Sequence, residues 1–422
     1  MSDPTKGATW RQILAGSQML LVAFGALVLM PLITGLDPNV ALFTAGVGTL
    51  VFHMVTGGQV PVFLASSFAF IAPIVAAKAE FGLSATLGGL ACAGLFYVFL
   101  SGLVKLKGTG FIDRLLPPVV IGPVIMVIGL GLAPVAANMA MGKTGDGAAE
   151  LVPYTTAMII SMASLATTLV IAVVGRGLFR LVPILFGILT GYVLALFFGV
   201  VDVSPVTAAP WLAMPAFVAP TFEWGAILFI LPVAIAPAVE HIGDVLAIST
   251  VTKRNFIRKP GLHRTLLGDG LATSLASLLG GPPNTTYSEV TGAVMLTRNF
   301  NPRVMIWAAV IAVVLAFFSK FGTALQTIPA PVMGGILCLL FGSIAVVGLN
   351  TLIQHKVDLS AARNLAIVGV TLTFGIGGLV MGTGSMGLQG IALCSITAIV
   401  LNLVLPGYQT WHRDESEFAG EG

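Results

Sequence analysis

The chain has 422 residues, 57% of them hydrophobic and 9% charged, with a formal net charge of +3 and a mean hydropathy of +1.01. Soluble domains carry about 25% charged residues, so the composition excludes a soluble globular domain and indicates a polytopic membrane protein with no nucleic-acid partner. The three cysteines, Cys92, Cys338 and Cys394, all lie in apolar stretches without metal-type spacing. They read as small buried hydrophobes, and no metal or cofactor is expected.

The N-terminal stretch MSDPTKGATWRQ is polar and lacks the layout of a cleaved signal peptide. A helix needs about 20 apolar residues to cross the hydrocarbon core of a bilayer. By that measure the chain offers about fourteen segments, at 13–34, 39–56, 60–78, 84–104, 117–140, 153–174, 181–200, 224–250, 265–280, 286–298, 303–321, 330–349, 364–380 and 386–405. The third opens with GGQVPVFLASSFAF and the tenth follows GGPPNTTY, so both read as interrupted. Twelve spans with two re-entrant segments would fit nearly as well. The tail HRDESEFAGEG reads as a short solvated end.

With the N-terminus in the cytoplasm, three basic residues fall outside, Lys78, Lys143 and Lys320, and the other 17 of 20 fall inside. The loop TKRNFIRKPGLHR alone supplies Lys253, Arg254, Arg258, Lys259 and Arg264 to the inner side. This is the asymmetry of the positive-inside rule, and shifting the count by one span destroys it. An even number of spans with both termini cytoplasmic is therefore expected, in a bacterial inner membrane.

Residues 1–205 and 218–405 read as two seven-span repeats, followed by a cytoplasmic tail at 406–422. An odd number of spans per repeat inverts the second copy in the membrane. The interrupted segments correspond, VPVFLASSFAFIAP near 61–73 and GPPNTTYSEVTG near 281–292. Paired interruptions of this kind point to a substrate site near the midplane, because backbone groups freed from a helix are tolerated only where they line a cavity or bond a ligand.

Ionisable groups at membrane depth are rare and face a cavity or a partner. Glu240 and Asp244, in LPVAIAPAVEHIGDVLAIS, lie four residues apart and share one helical face. Two like charges so close disfavour double ionisation, so the pair can load and release a proton. His241 lies about 100° around the helix from Glu240 and is as fit for packing or support as for direct contact. Glu289 follows a run of hydrogen-bonding residues, Asn284, Thr285, Thr286, Tyr287 and Ser288. It can contact a ligand, or cap the tenth helix beside the positive end of its dipole. Asp269 lies near the mouth of the ninth segment and is expected to pair with the basic loop. Phe68 and Phe70 fall on one side if SSFAF is extended, where an aromatic face could stack on a planar ligand.

The stretches SSFAFIAP, FEWGAILFILPVA, AVEHIGD, KPGLHR, PNTTYSE, GAVMLTR and IPAPVMGG make the chain resemble the nucleobase–ascorbate transporter family, nucleobase:cation symporter family 2, over about residues 10–405, and its uracil permease branch in particular. The family signature reads here as Glu289, Val290, Thr291, Gly292, then Thr297 and Arg298. The resemblance implies an all-α fold of fourteen spans in a 7+7 inverted repeat, with short strands at the third and tenth segments. It implies a core domain from spans 1–4 and 8–11, a gate domain from spans 5–7 and 12–14, a homodimer, and an elevator-like, proton-coupled cycle, with Na⁺ the less favoured ion. It assigns base binding to Glu240 and Glu289, stacking to Phe68, and contacts beside it to Tyr287 and Ser288; Asp244 or Glu240 would carry the proton.

Three positions depart from the uracil branch. Asp244 stands where a His is usual and where xanthine and urate carriers have Asp; Met19 follows Gln18 in place of a His; Val290 replaces the signature Asn. Uracil and a purine such as xanthine or guanine therefore both stay open as substrates. A more distant alternative is an anion transporter of the same 7+7 architecture, whose half-helix N-termini would attract the substrate. Three carboxylates at the site oppose it. No HExxH sequence, nucleophile–base pair or phosphate loop is visible, so an enzyme is not expected.

Overall fold

In a computed structural model the chain is almost entirely helical, and residues 9–108, 110–177, 179–382 and 387–407 are described. The first repeat contains α1 (Thr9–Thr34), α2 (Pro38–Val55), strand β1 (Leu64–Ser66), α3 (Ile71–Lys107), α4 (Gly110–Leu115), α5 (Pro118–Gly131), α6 (Ala133–Ala140), α7 (Tyr154–Val174) and α8 (Pro183–Phe197). The linker carries the short α9 (Ser204–Ala208). The second repeat contains α10 (Trp224–Ile230), α11 (Ile235–Thr252), α12 (Leu262–Leu278), strand β2 (Asn284–Thr286), α13 (Ser288–Thr297), α14 (Pro302–Ala316), α15 (Ser319–Gln326), α16 (Ala330–Gln354), α17 (Ala362–Ile376) and, after a two-residue pair β3 (Val380–Met381) and β4 (Leu388–Gln389), α18 (Gly390–Val404). Among the described residues seven helical stretches are long and apolar enough to cross a membrane, and four shorter apolar helices accompany them. Of the expected tail at 406–422, residues 408–422 lie outside the described residues.

Local chemistry sets the boundaries. Proline begins α2, α5, α8 and α14, where its missing N–H loses nothing. The Asp37 carboxylate accepts from the Asn39 and Val40 amides at 2.7 and 3.0 Å, and Asn301 Oδ1 accepts from Arg303 N at 3.0 Å. The third and fourth expected segments run on as α3, broken at Gly82, whose φ of +80° suits only glycine.

The helix pairs are closed under exchange of the two repeats. α3 packs on α12 as α14 packs on α2, and α10 on α3 as α1 on α14. α7 pairs with α8 as α17 with α18, α16 with α7 as α5 with α17, and α18 with α5 as α8 with α16. α2–α12, α5–α16 and β1–β2 map onto themselves. The strands pair antiparallel, with Leu64 opposite Thr286, Ala65 opposite Thr285 and Ser66 opposite Asn284. A two-fold axis through the Ala65–Thr285 pair therefore relates the repeats, and the fold is the inverted repeat expected from the sequence. One group of packed helices is α1–α3 with α10–α14; the other is α5–α8 with α16–α18.

Both broken segments have their backbone satisfied by side chains. The Leu64 amide donates to Thr49 Oγ1 at 2.9 Å, Thr273 Oγ1 donates to the Asn284 carbonyl at 2.5 Å, and Asn284 Nδ2 donates to the Thr44 carbonyl at 3.0 Å. The donor from α12 belongs to a stripe of Thr265, Asp269, Thr273 and Ser277, four residues apart and each 0% exposed. A helix with such a polar face survives in a bilayer because α2 and α3 enclose it. That enclosure needs a close approach. A Cβ at Gly94 of α3 would meet the Ser274 backbone nitrogen at 2.5 Å and the Gly270 carbonyl at 2.7 Å.

Two outcomes are expected in detergent. Gly94→Val forces α3 from α12 and lowers thermal stability by the ~1–3 kcal/mol of overpacking or more. Thr273→Val, of equal shape, leaves the buried Asn284 carbonyl unpaired and costs ~1–3 kcal/mol. Thermal melts of the purified protein check both.

Candidate functional site

The site lies where the two breaks meet α11. At the first break, residues Phe68–Phe70 form one turn of 3₁₀ helix rather than continuing the strand. The two phenylalanines therefore do not share a face in the way an extended SSFAF would give. Phe70 is packed away at 0% exposure, whereas Phe68, at 4%, meets two further aromatic rings. Its ring centroid is 6.3 Å from that of Tyr287 at the end of β2 and 6.0 Å from that of Phe341 in α16, the latter edge to face. Phe341 belongs to the other helix group, so this aromatic contact joins the two groups at the site.

At the second break, Tyr287 is extended and Ser288 opens α13. The side chain of Ser288 lies outside the described residues. No side chain caps the start of α13, and none caps the 3₁₀ turn at Phe68, among the described residues. The 3₁₀ turn takes the Phe70 and Ile71 amides on Ser67 and Phe68 carbonyls, so the start of α13 is the one that depends on a ligand or on Glu289 for its first N–H groups. Glu289 is the second residue of α13 and is half-buried. Tyr287 is buried, and its hydroxyl has no partner among the described residues.

α11 supplies the remaining carboxylates. Glu240 is half-buried, its Oε2 is enclosed without a hydrogen-bond partner, and it lies in electrostatic reach of Asp244, Glu289 and Asp269. Asp244, one turn further along, is buried and its Oδ2 accepts from Thr286 Oγ1 at 3.0 Å. Gly243 between them faces α5, where an added Cβ would reach Ile125 Cδ1 at 4.0 Å. The structure thus brings Phe68, Tyr287, Glu240, Asp244 and Glu289 to one place between the helix groups.

Asp269 is placed differently from the expectation. It lies two turns into α12, is 0% exposed, and has its Oδ2 3.6 Å from His241 Nδ1; it does not face the basic loop. The spacing of four in Thr265, Asp269, Thr273 and Ser277 was the available signal, since it puts all of them on one face. His241, also 0% exposed, points away from the open side and reaches Thr286 Oγ1 at 3.3 Å.

Among the described residues no group of three or more His, Cys, Asp or Glu could hold a metal ion. Orphaned polar atoms concentrate at the breaks and on α11: Ser66 Oγ, Ser67 Oγ, Thr285 Oγ1, Tyr287 Oη, Thr291 Oγ1 and Glu240 Oε2 all lack hydrogen-bond partners. Buried polar groups are ordinarily paired, so this concentration is what a polar ligand would fill.

The profile of the Permease family matches residues 11–405. A protein of Pasteurella multocida named "Probable uracil permease" is 59% identical over 396 residues, covering 94% of each chain. The "Uracil permease" of Bacillus subtilis is 44% identical over 408 residues, covering 95% of this chain and 94% of that one. That of Escherichia coli K12 is 40% identical over 387 residues, covering 92% and 89%. Among solved structures, the transmembrane domain of the cyanobacterial bicarbonate transporter BicA superposes with a TM-score of 0.68 at 14% identity, covering 94% of this chain and 97% of that one. Murine Slc26a9, an anion transporter, gives 0.67 at 12% identity, covering 94% and 68%. At these identities the two structures speak for the fold alone. The sequence match over nearly the whole chain makes this protein a member of the permease family of nucleobase–ascorbate transporters, a membrane transporter and not an enzyme.

Proposed function

We propose that the protein imports uracil with a proton across the bacterial inner membrane. The observation that carries this reading is the enclosed, unpartnered carboxylate oxygen of Glu240, which lies in electrostatic reach of Glu289 in a site that also holds the Phe68–Tyr287 aromatic pair. A nucleobase is planar and presents N–H donors beside carbonyl acceptors. An ionised carboxylate accepts from such N–H groups and a protonated one donates to a carbonyl. Glu240 and Glu289 hold the edge of the base, Phe68 stacks on its face, and the open N–H groups beside Tyr287 and Ser288 donate to its carbonyls. The names of the relatives favour uracil over a purine. Carboxylates crowded at the site disfavour an anionic substrate.

Asp244, or Glu240 itself, takes up the coupling proton. A neutral acid beside Glu240 lets the remaining carboxylate bind the base without like-charge repulsion, so base and proton favour each other's binding. The group α1–α3 with α10–α14 acts as the core that carries the site. The group α5–α8 with α16–α18 acts as the gate against which it slides, across fourteen spans in all. Both termini are cytoplasmic and two copies associate through their gates.

Uptake of labelled uracil into proteoliposomes under an inward proton gradient tests the reading. Accumulation is expected, with competition by unlabelled uracil and little by xanthine, guanine or adenine; uptake indifferent to uracil would refute it. Glu240→Gln and Glu289→Gln should each weaken uracil binding about 10- to 100-fold, the worth of one charge-assisted hydrogen bond. Phe68→Ala should lose the ~1–3 kcal/mol of base stacking, read by equilibrium binding of labelled uracil.

A further inference from the structure

From Asp244 in the site, three further polar side chains follow one another behind strand β2. Asp244 Oδ2 is 3.0 Å from Thr286 Oγ1, Thr286 Oγ1 is 3.3 Å from His241 Nδ1, and His241 Nδ1 is 3.6 Å from Asp269 Oδ2. His241 and Asp269 are each 0% exposed, and Thr286 is 1% exposed. The Phe52 ring stands edge to face against His241, with centroids 6.4 Å apart, and closes one flank. His241 Nε2 and both Asp269 oxygens lack a hydrogen bond of normal geometry among the described residues. The Thr286 amide also reaches the Asp269 carboxylate, so a structural tether between β2 and α12 would use Thr286 and Asp269. It would have no use for a buried imidazole between them whose Nε2 stays unsatisfied.

We propose that Thr286, His241 and Asp269 form a relay that carries the coupling proton from Asp244 to a store behind β2. The step balances within the four side chains. Protonated Asp244 gives its proton to Thr286 Oγ1, and the original Thr286 proton passes to His241 Nδ1. The imidazolium so formed faces the Asp269 carboxylate, which holds it as an ion pair or takes the proton on Oδ2. One proton has moved, Asp244 is again an acceptor, and the hydroxyl has turned from one neighbour to the other. Thr286 suits the task because a hydroxyl is both donor and acceptor, and its place on β2 ties the relay to the strand that ends at Tyr287. The other titratable groups facing this chain are Glu240 on α11, Tyr287 and Glu289 at the second break, and Tyr97 of α3, which lies in reach of Asp269 and Glu240. α5 contributes none, and α18 contributes only Cys394 among its described residues. Thr286 and His241 handle the proton and do not touch the base.

The inference rests on the proton-coupled reading above, and the experiment separates the two. Full-length protein in liposomes is assayed for uracil exchange at equal pH on both sides, and for accumulation driven by a pH gradient. Thr286→Val keeps the shape and removes the hydroxyl. It should leave exchange within about twofold and lower gradient-driven accumulation about tenfold, within the usual range of coupling energies, while Thr286→Ser restores it. Wild-type protein that exchanges uracil but ignores the gradient refutes proton coupling itself, and the relay with it. Wild-type accumulation with unchanged accumulation by Thr286→Val refutes the relay alone. If Thr286→Val loses exchange as well, His241→Gln decides, since it leaves the Thr286–Asp244 bond in place. Lost accumulation with preserved exchange then upholds the relay; retained accumulation, or loss of exchange here too, overturns it.

Discussion

Everything in this fold follows from breaking two helices at membrane depth. An opened helix exposes amide and carbonyl groups that lipid cannot hydrogen-bond. Here each break is completed by the other, since three residues of β1 pair antiparallel with three of β2. Neither strand could exist without its counterpart, so the two repeats are committed to each other at their centres. Thr49 and Thr273 take further backbone groups of the strands, and Asn284 ties β2 to the Thr44 carbonyl of α2. This is why α12 can be the most polar of the long helices and still be wrapped on all sides. Of its polar stripe, Thr273 serves the break and Asp269 the groups behind it, while Thr265 and Ser277 bond carbonyls of α12 itself.

The same constraint makes the site. A short antiparallel pair leaves each chain free to restart as a helix just beyond it, at Ile71 and at Ser288. At Ile71 the preceding 3₁₀ turn supplies the acceptors, whereas the restart at Ser288 follows the strand directly and lies at the break beside carboxylates from α11 and α13. Phe68 and Tyr287 flank the break because each is the residue at which strand gives way to helix or to the turn before it. Phe341 reaches this place from the other helix group. A ligand seated there would touch both groups, so its presence or absence can bias how one moves against the other.

Much of this was legible in the sequence because membranes restrict the alternatives. The apolar stretches gave positions at which the described residues form seven long and four shorter apolar helices. Gly-Pro-rich polar runs inside two of them gave the breaks. Glu240, Asp244 and Glu289 stood out because carboxylates are expensive in such surroundings. The local conformation at Phe68–Phe70 was not legible, because three residues carry no period and a strand and a 3₁₀ turn fit them equally. Asp269 was misjudged from its distance along the chain to the basic loop. Its real surroundings come from α2, α3 and α11, which only the packed fold assembles. Thr286 was noticed as one polar residue in a run, whereas its contacts with Asp244 and His241 depend on the strand twisting it toward α11.

The exceptions to the charge rule are instructive in the same way. Of the basic residues assigned to the outer side, Lys78 and Lys320 are engaged with the protein itself. Lys78 Nζ donates to the Thr34 and Gly35 carbonyls at 3.2 and 3.1 Å, closing the end of α1. Lys320 Nζ donates to the Val206 and Thr207 carbonyls at 3.1 and 3.2 Å and stands 5.3 Å from the centre of the Trp211 ring. Orphan carbonyls at a helix end favour a cation, and a lysine bonded to two of them contributes structure where a free one would only oppose the membrane's orientation. Lys320 joins the linker between the repeats to α15, and a bridge between Leu212 and Phe318 runs alongside. Both connections lead from one helix group to the other. Fixing them together on one side, with α4 as the separate connection between α3 and α5, limits how the groups can part. The contact that joins them is one that the positive-inside rule, taken alone, would have counted as an error.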